Sequence, residues 1–130
     1  MELENFEAAL KALIASGAPN YGDGASMEKL HHLEARFASF MTEATAAFEV
    51  GEEWAAEGAK TAAAWLSSRC RVPRAAAKRR VRLGRTLRHL GAVAQAWREG
   101  DIGEDVARAI ASARRHRTEA AMARDQEMLV

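Results

Sequence analysis

Apolar residues recur at helical spacing along most of the chain. Leu3, Phe6, Leu10 and Leu13 stand three and four residues apart and predict one apolar helix face over residues 2–15. The segment Ser16-Gly17-Ala18-Pro19-Asn20-Tyr21-Gly22-Asp23-Gly24 ends that helix with three glycines and a proline. A long helix follows, with Ser26 as its expected N-cap and Lys29 where Glu would complete a capping box. Its stripe of Leu30, Leu33, Phe37, Phe40, Ala44 and Ala47 alternates spacings of three and four over nearly three heptads. Two readings fit this stripe. It packs on the first segment as an antiparallel helix hairpin, or Leu30, Leu33, Phe37 and Phe40 form the seam of a homodimer. Gly51 ends the helix, and a short turn around Trp54 leads to Gly58.

The second half reads as a helix-turn-helix. Thr61 is the expected cap of a helix running to about Arg71, with Ala62, Ala63, Trp65, Leu66 and Cys70 as its apolar content. Proline suits the first position of a helix and disfavours helix in the residue before it. Val72-Pro73 therefore separates this helix from one running from Pro73 to about Leu90, and so short a joint implies a steep crossing. Around the second helix, Ala76, Ala77, Val81, Leu83, Gly84, Leu87 and Leu90 occupy about half the circumference. Arg74, Lys78, Arg82 and Arg85 fall within about 80° of one another on the opposite side, flanked by Arg79 and Arg88. Arg80 falls inside the apolar arc and needs a partner, expected to be a carboxylate from the first half. A short helix from Ala92 to Glu99 and a turn at Gly100-Asp101-Ile102-Gly103 come next, with Asp101 as the expected cap of a helix ending near Arg117. The cations Arg114, Arg115, His116 and Arg117 suit the negative end of that helix. Thr118 is then expected to open a last helix containing Ala121, Met122 and Met128. Its open apolar end at Val130 leads to the expectation of a longer natural chain.

Composition supports the helical reading. Thirty alanines and two prolines in 130 residues favour an all-α helical bundle of one domain. No apolar run is long enough to span a membrane, and the acidic start Met1-Glu2-Leu3-Glu4 is unlike a signal peptide, so a cytoplasmic location is expected. The net charge of +1 hides a strong asymmetry. Residues 1–58 carry 11 acids and 3 bases, and residues 59–130 carry 16 bases and 7 acids. The stretch from Lys60 to Arg98 holds 11 Lys and Arg and no Asp or Glu. Such a block repels itself unless a polyanion or an acidic surface answers it. The answer is nucleic-acid phosphate, or the acidic hairpin of residues 1–58 docked on the basic helix-turn-helix-like half of residues 59–130, and the two are not exclusive.

Reactive chemistry is sparse. Adjacent His31 and His32 point about 100° apart on a helix and cannot chelate together, while His89 and His116 stand isolated among arginines. The single cysteine, Cys70, excludes an internal disulfide and a four-cysteine zinc site, and it reads as a small packed residue. No glycine-rich phosphate loop or Gly-x-Ser-x-Gly elbow is present. No active site, metal site or cofactor is therefore expected in this chain.

The run Thr61-Ala62-Ala63-Ala64-Trp65-Leu66, then Val72-Pro73, then Arg79-Arg80-Val81-Arg82-Leu83 forms an ordered set. Ala96-Trp97-Arg98-Glu99-Gly100-Asp101-Ile102 and Val106-Ala107-Arg108-Ala109-Ile110-Ala111 continue it. Together these resemble the domain of unknown function that precedes HNH endonuclease domains in many high-GC bacterial proteins, the thirteen-E-twelve repeat family. The resemblance covers about residues 58–128. At the turn, Cys70-Arg71-Val72-Pro73 stands where a Gly-Leu-Ser-Pro-like sequence is common, and no acid follows the proline. The resemblance implies a DNA-associated module beside a downstream nuclease, without placing nuclease chemistry in this chain.

Two functions follow as expectations. One is a DNA-binding or DNA-positioning module contacting phosphates through Arg74, Lys78, Arg82 and Arg85, with Arg71 and Arg79 at the edges. The other is a dimerisation or protein-interaction module built on the Leu30 to Ala47 stripe, with no nucleic-acid role.

Overall fold

A computed structural model describes the backbone of residues 1–128 and the side chains of residues 1–121. Among the described residues it contains seven α-helices and no strand, which makes the protein all-α. The helices are α1 (Glu2–Ser16), α2 (Gly24–Gly51), α3 (Glu53–Ala56), α4 (Ala62–Cys70), α5 (Arg74–Leu87), α6 (Gly91–Arg98) and α7 (Glu104–Met128). The chain divides into two compact units, residues 1–33 and residues 34–130. The division between these units lies inside α2.

The first unit holds α1, a 3-10 turn (Ala18–Tyr21) and the first turns of α2. Gly17 leaves α1 with a φ of 96°, a conformation open to glycine, and its N–H returns to the Ile14 carbonyl. Ser16 and Tyr21 join hydroxyls at 2.6 Å, and Asn20 donates to the Ser16 carbonyl at 2.7 Å. The N-cap of α2 is Asp23, whose carboxylate accepts the Ser26 N–H at 3.0 Å. The expected cap, Ser26, lies inside the helix as the donor. Aspartate outcompetes serine here because its charge also suits the positive end of the helix dipole. Hydrogen bonding from Ser26, first through its side chain and then through its N–H, holds the Asp23 carboxyl below the usual aspartate range.

The second unit has two clusters of buried residues, and α5 contributes to both. Leu83 and Leu87 join Trp97, Ala107 and Ala111, with Leu90, Val93 and Ile102 packed around them. Trp97 is fully buried, and its Nε1–H has no acceptor among the described residues. Ala77 and Val81 join Ala62 and Ala63, covered by Phe48, Trp54, Leu66 and Val72. Residues from the start of α4 thus share a cluster with the middle of α5. The two helices double back on one another across Arg71-Val72-Pro73. Thr61 caps α4 as expected, accepting the Ala64 N–H at 3.1 Å. Arg71 makes the turn with a φ of 57°, a left-handed conformation uncommon for a residue with a Cβ.

Helix α2 enters the second unit through a face that the hydrophobic pattern did not mark. Its buried residues are Ser39, Thr42, Thr45 and Ala46. Of the stripe that the pattern did mark, Leu33, Phe37 and Phe40 are 43%, 44% and 63% exposed, and Leu30 is half-buried. The reason lies opposite, at Gly84 of α5. A Cβ built there would stand 3.0 Å from the Ala46 Cβ and 3.1 Å from the Thr42 carbonyl oxygen. So close a crossing admits small side chains only. The threonine hydroxyls tolerate burial because each donates to the carbonyl four residues back, Thr42 to Ala38 at 2.8 Å and Thr45 to Met41 at 2.7 Å.

Other expectations are corrected at helix ends. α5 stops at Leu87 rather than Leu90, and Gly103 rather than Asp101 directly precedes α7. α7 continues through Thr118, so no separate last helix begins there, and the side chains of Met122 and Met128 lie outside the described residues. Cys70 is exposed, not packed. Arg80 does meet a carboxylate, but it is Glu104 of α7, at 3.3 Å, and not one from the acidic half. Among the described residues no helix is long and apolar enough to cross a membrane.

The crossing at Gly84 gives a direct test. Gly84→Val should lower the unfolding free energy by about 1–3 kcal/mol through overpacking. Ala75→Val, on the exposed side of the same helix, should stay within about 0.7 kcal/mol. Urea unfolding midpoints of the two variants measure the difference.

Candidate nucleic-acid interface

The chemistry of α5 follows from its three buried contacts. Ala77, Val81, Leu83, Gly84 and Leu87 take up one side of the helix, leaving an arc for cations. Arg74, Lys78 and Arg82 lie on that arc one turn apart, about 6 Å per step. All three are exposed and form no ion pair among the described residues. Arg74 is the first residue of the helix, whose opening turn holds no acid. A cation there faces the positive end of the helix dipole, so the row is electrostatically unrelieved at both scales.

The other predicted contacts are placed differently. Arg85 continues the row by angle, but its Nε donates to one Glu49 oxygen at 2.7 Å and its Nη2 to the other. This two-point pairing holds the Glu49 carboxyl below the usual glutamate range, with Arg88 adding a smaller electrostatic contribution. It also raises Arg85 above the usual arginine value. Arg79 turns away from the row and lines a cleft of about 300 Å³ between α2, α4, α5 and α7. Arg80, Glu104 and Arg108 also line it, together with the apolar Met41, Leu66 and Leu83. Arg71 lies exposed in the α4–α5 turn.

Acids of the first half therefore answer particular cations of the second. Glu49 takes Arg85, Glu43 takes Arg98 at 2.6 Å, and Glu57 takes Arg69 at 3.3 Å. Arg69 also lies over the Trp65 ring, 5.7 Å from its centre, and Trp65 packs on Phe48. These pairs bracket α5 without reaching Arg74, Lys78 or Arg82. Among the described residues no group of three His, Cys, Asp or Glu is arranged to hold a metal ion.

Sequence reasoning missed one neighbour of the row. Arg114 and Arg115, assigned to the end of their helix, stand in mid-α7 beside the C-terminal end of α5. Arg114 Nη1 donates to the His89 carbonyl and Arg115 Nη1 to the Thr86 hydroxyl, both at 3.4 Å. Only the long-range packing of α7 brings these positions together, and no periodicity in the chain reveals it.

Fold and surface together define a small all-helical protein organised around one strongly basic helix. Residues 24–128 match the family described as Domain of unknown function (DUF222), and the chain belongs to that family. No curated protein and no solved structure matches it.

The Glu49–Arg85 pair should reveal itself through pH. Glu49 titrates below its ordinary value of 4.5 in the folded chain, so its stabilisation is complete above about pH 5. It is lost as the pH falls through the folded-state value. Glu49→Gln should cost about 1 kcal/mol at pH 7, a figure limited by the exposure of Arg85. The cost of the same substitution should shrink towards zero as the pH falls below the folded-state value of Glu49. Thermal unfolding of both proteins across this range checks the convergence.

Proposed function

We propose that this chain is a DNA-binding or DNA-positioning module that grips the phosphate backbone through α5. The observation that carries the reading is the exposed row of Arg74, Lys78 and Arg82, left without ion pairs among the described residues while Arg69, Arg85 and Arg98 are each answered by an acid. Surface charge without a ligand usually mixes signs. A single-sign row one turn apart suits a polyanion with regularly spaced charge, which nucleic acid provides. Arg71 and Arg79 extend the basic surface beyond the row. Arg85 acts chiefly within the fold, so the contact set is narrower than residue type alone suggests. The resemblance to regions that precede HNH endonuclease domains supports the same assignment, with the module holding DNA for a nuclease and contributing no catalytic group itself.

Replacing Arg74, Lys78 and Arg82 together by Ala should weaken binding to a random-sequence duplex and flatten its dependence on salt. Each lost phosphate contact should reduce the log–log slope by about 0.9. Fluorescence anisotropy at several salt concentrations reads both quantities, and unchanged affinity in the triple variant overturns the proposal.

A second reading has its own support in the exposed apolar side chains of α2. Leu33 and Phe40 are large and substantially open to solvent, which favours self-association along the seam of Leu30, Leu33, Phe37 and Phe40. On this reading Phe40→Asp shifts a dimer to monomer in sedimentation experiments. A wild-type chain that stays monomeric at the highest attainable concentration removes it.

A further inference from the structure

We infer that the cleft between the C-terminal end of α5 and the middle of α7 is a phosphate-binding site, taking a phosphodiester of the nucleic acid held by the α5 row. The inference rests on the DNA reading for the source of the phosphate, while the site itself rests on separate residues. The cleft has a volume of about 420 Å³. Thr86, Arg88 and His89 line it from the α5 end, and Arg114, Arg115 and Thr118 line it from α7.

Three features point to an anion. The first is charge. Arg88, Arg114 and Arg115 form no ion pair among the described residues, and the one carboxylate lining the cleft is the exposed Glu119. Arg85 also borders it, but Glu49 already answers that charge. Even against Glu119 and the neighbouring Glu49, these guanidinium groups leave an excess of positive charge around one concavity that an entering anion relieves.

The second feature is preorganisation. Arg114 and Arg115 are each steered by one hydrogen bond, to the His89 carbonyl and the Thr86 hydroxyl. A guanidinium has five N–H donors, so one such bond, long at 3.4 Å, biases its direction and leaves the rest for a ligand. Cations suit a helix C-terminus, which explains in part why Arg114 and Arg115 stand at the end of α5. Arg88 makes no hydrogen bond among the described residues, is only weakly answered by the field of Glu49, and adds a third like charge.

The third feature is continuity. Thr86 follows Arg82 by one turn of α5, about 40° round the axis. The open row therefore runs into the cleft. A backbone lying along Arg74, Lys78 and Arg82 meets the cleft as its next anchor, which turns a straight row into a path bounded by a pocket.

The test uses the whole chain with two probes. Inorganic phosphate and a short random duplex are titrated separately while NMR follows the amide and hydroxyl-bearing residues Thr86 and Thr118 and the His89 ring. The variants are Arg88→Gln alone and Arg88→Gln with Arg115→Gln, with Arg88→Lys and Arg115→Lys as a charge-retaining control. Arg88→Gln removes no described hydrogen bond, which keeps the test valid if the double variant unfolds. The expected result is that duplex shifts the cleft signals and that the double Gln variant loses about 2 from the log–log salt slope. The Lys control should keep most of that slope.

The outcomes separate this inference from the reading it rests on. Duplex binding that depends on Arg74, Lys78 and Arg82 but leaves the cleft signals and slope untouched overturns the cleft and spares the row. Cleft shifts with inorganic phosphate, abolished by the Gln variants, in a chain that binds no duplex support the phosphate site. That result overturns nucleic acid as its source. No response to either probe overturns both.

Discussion

The close crossing of α2 and α5 at Gly84 is the constraint on which the second unit depends. With no side chain at that position, α5 lies against the backbone of α2, and the remaining directions around α5 are then assigned. Leu83 and Leu87 reach the cluster around Trp97, and Ala77 and Val81 reach the cluster around Ala62 and Ala63. One arc is left, and it carries the exposed cations. The basic surface is thus what remains of a helix packed on three sides, and its straightness derives from that packing.

Charge is placed with the same economy. The acids of the first half are not spread over the basic helix as a cover. Glu43, Glu49 and Glu57 each meet one arginine at the ends of α4, α5 and α6, where the pairing also ties segments together. Glu49 is the most enclosed of the three carboxylates, and its two-point contact with Arg85 fixes the end of α2 to the last turn of α5. Structural pairing and an open row coexist on one helix because residues 74, 78 and 82 stand beyond the reach of these acids.

Much of the helical order was legible in the sequence, because helix spacing, the Thr61 cap and the Val72-Pro73 break are local signals. The α5 wheel was legible too, since its apolar and basic arcs differ so sharply. The buried face of α2 was not. Ser39, Thr42 and Thr45 are polar by type and silent in a hydrophobic pattern, yet they are buried because each threonine satisfies its hydroxyl within its own helix. The partner of Arg80 was foreseen as a carboxylate but located in the wrong half, because Glu104 becomes its neighbour only when α7 folds back. The meeting of Arg114 and Arg115 with the end of α5 was hidden for the same reason. Where contacts join residues 24 or more positions apart, local periodicity carries no record of them.

The small-residue crossing has a consequence for how relatives of this chain can vary. What is fixed at the contact is the combined bulk of positions 46 and 84, more than the identity of either. The methyl group present on Ala46 can in principle be moved across the contact, giving glycine on α2 and alanine on α5, if the Thr42 carbonyl yields a few tenths of an ångström. Two positions 38 residues apart should therefore covary in size, and a lineage that enlarges one without shrinking the other must move a whole helix to accommodate it.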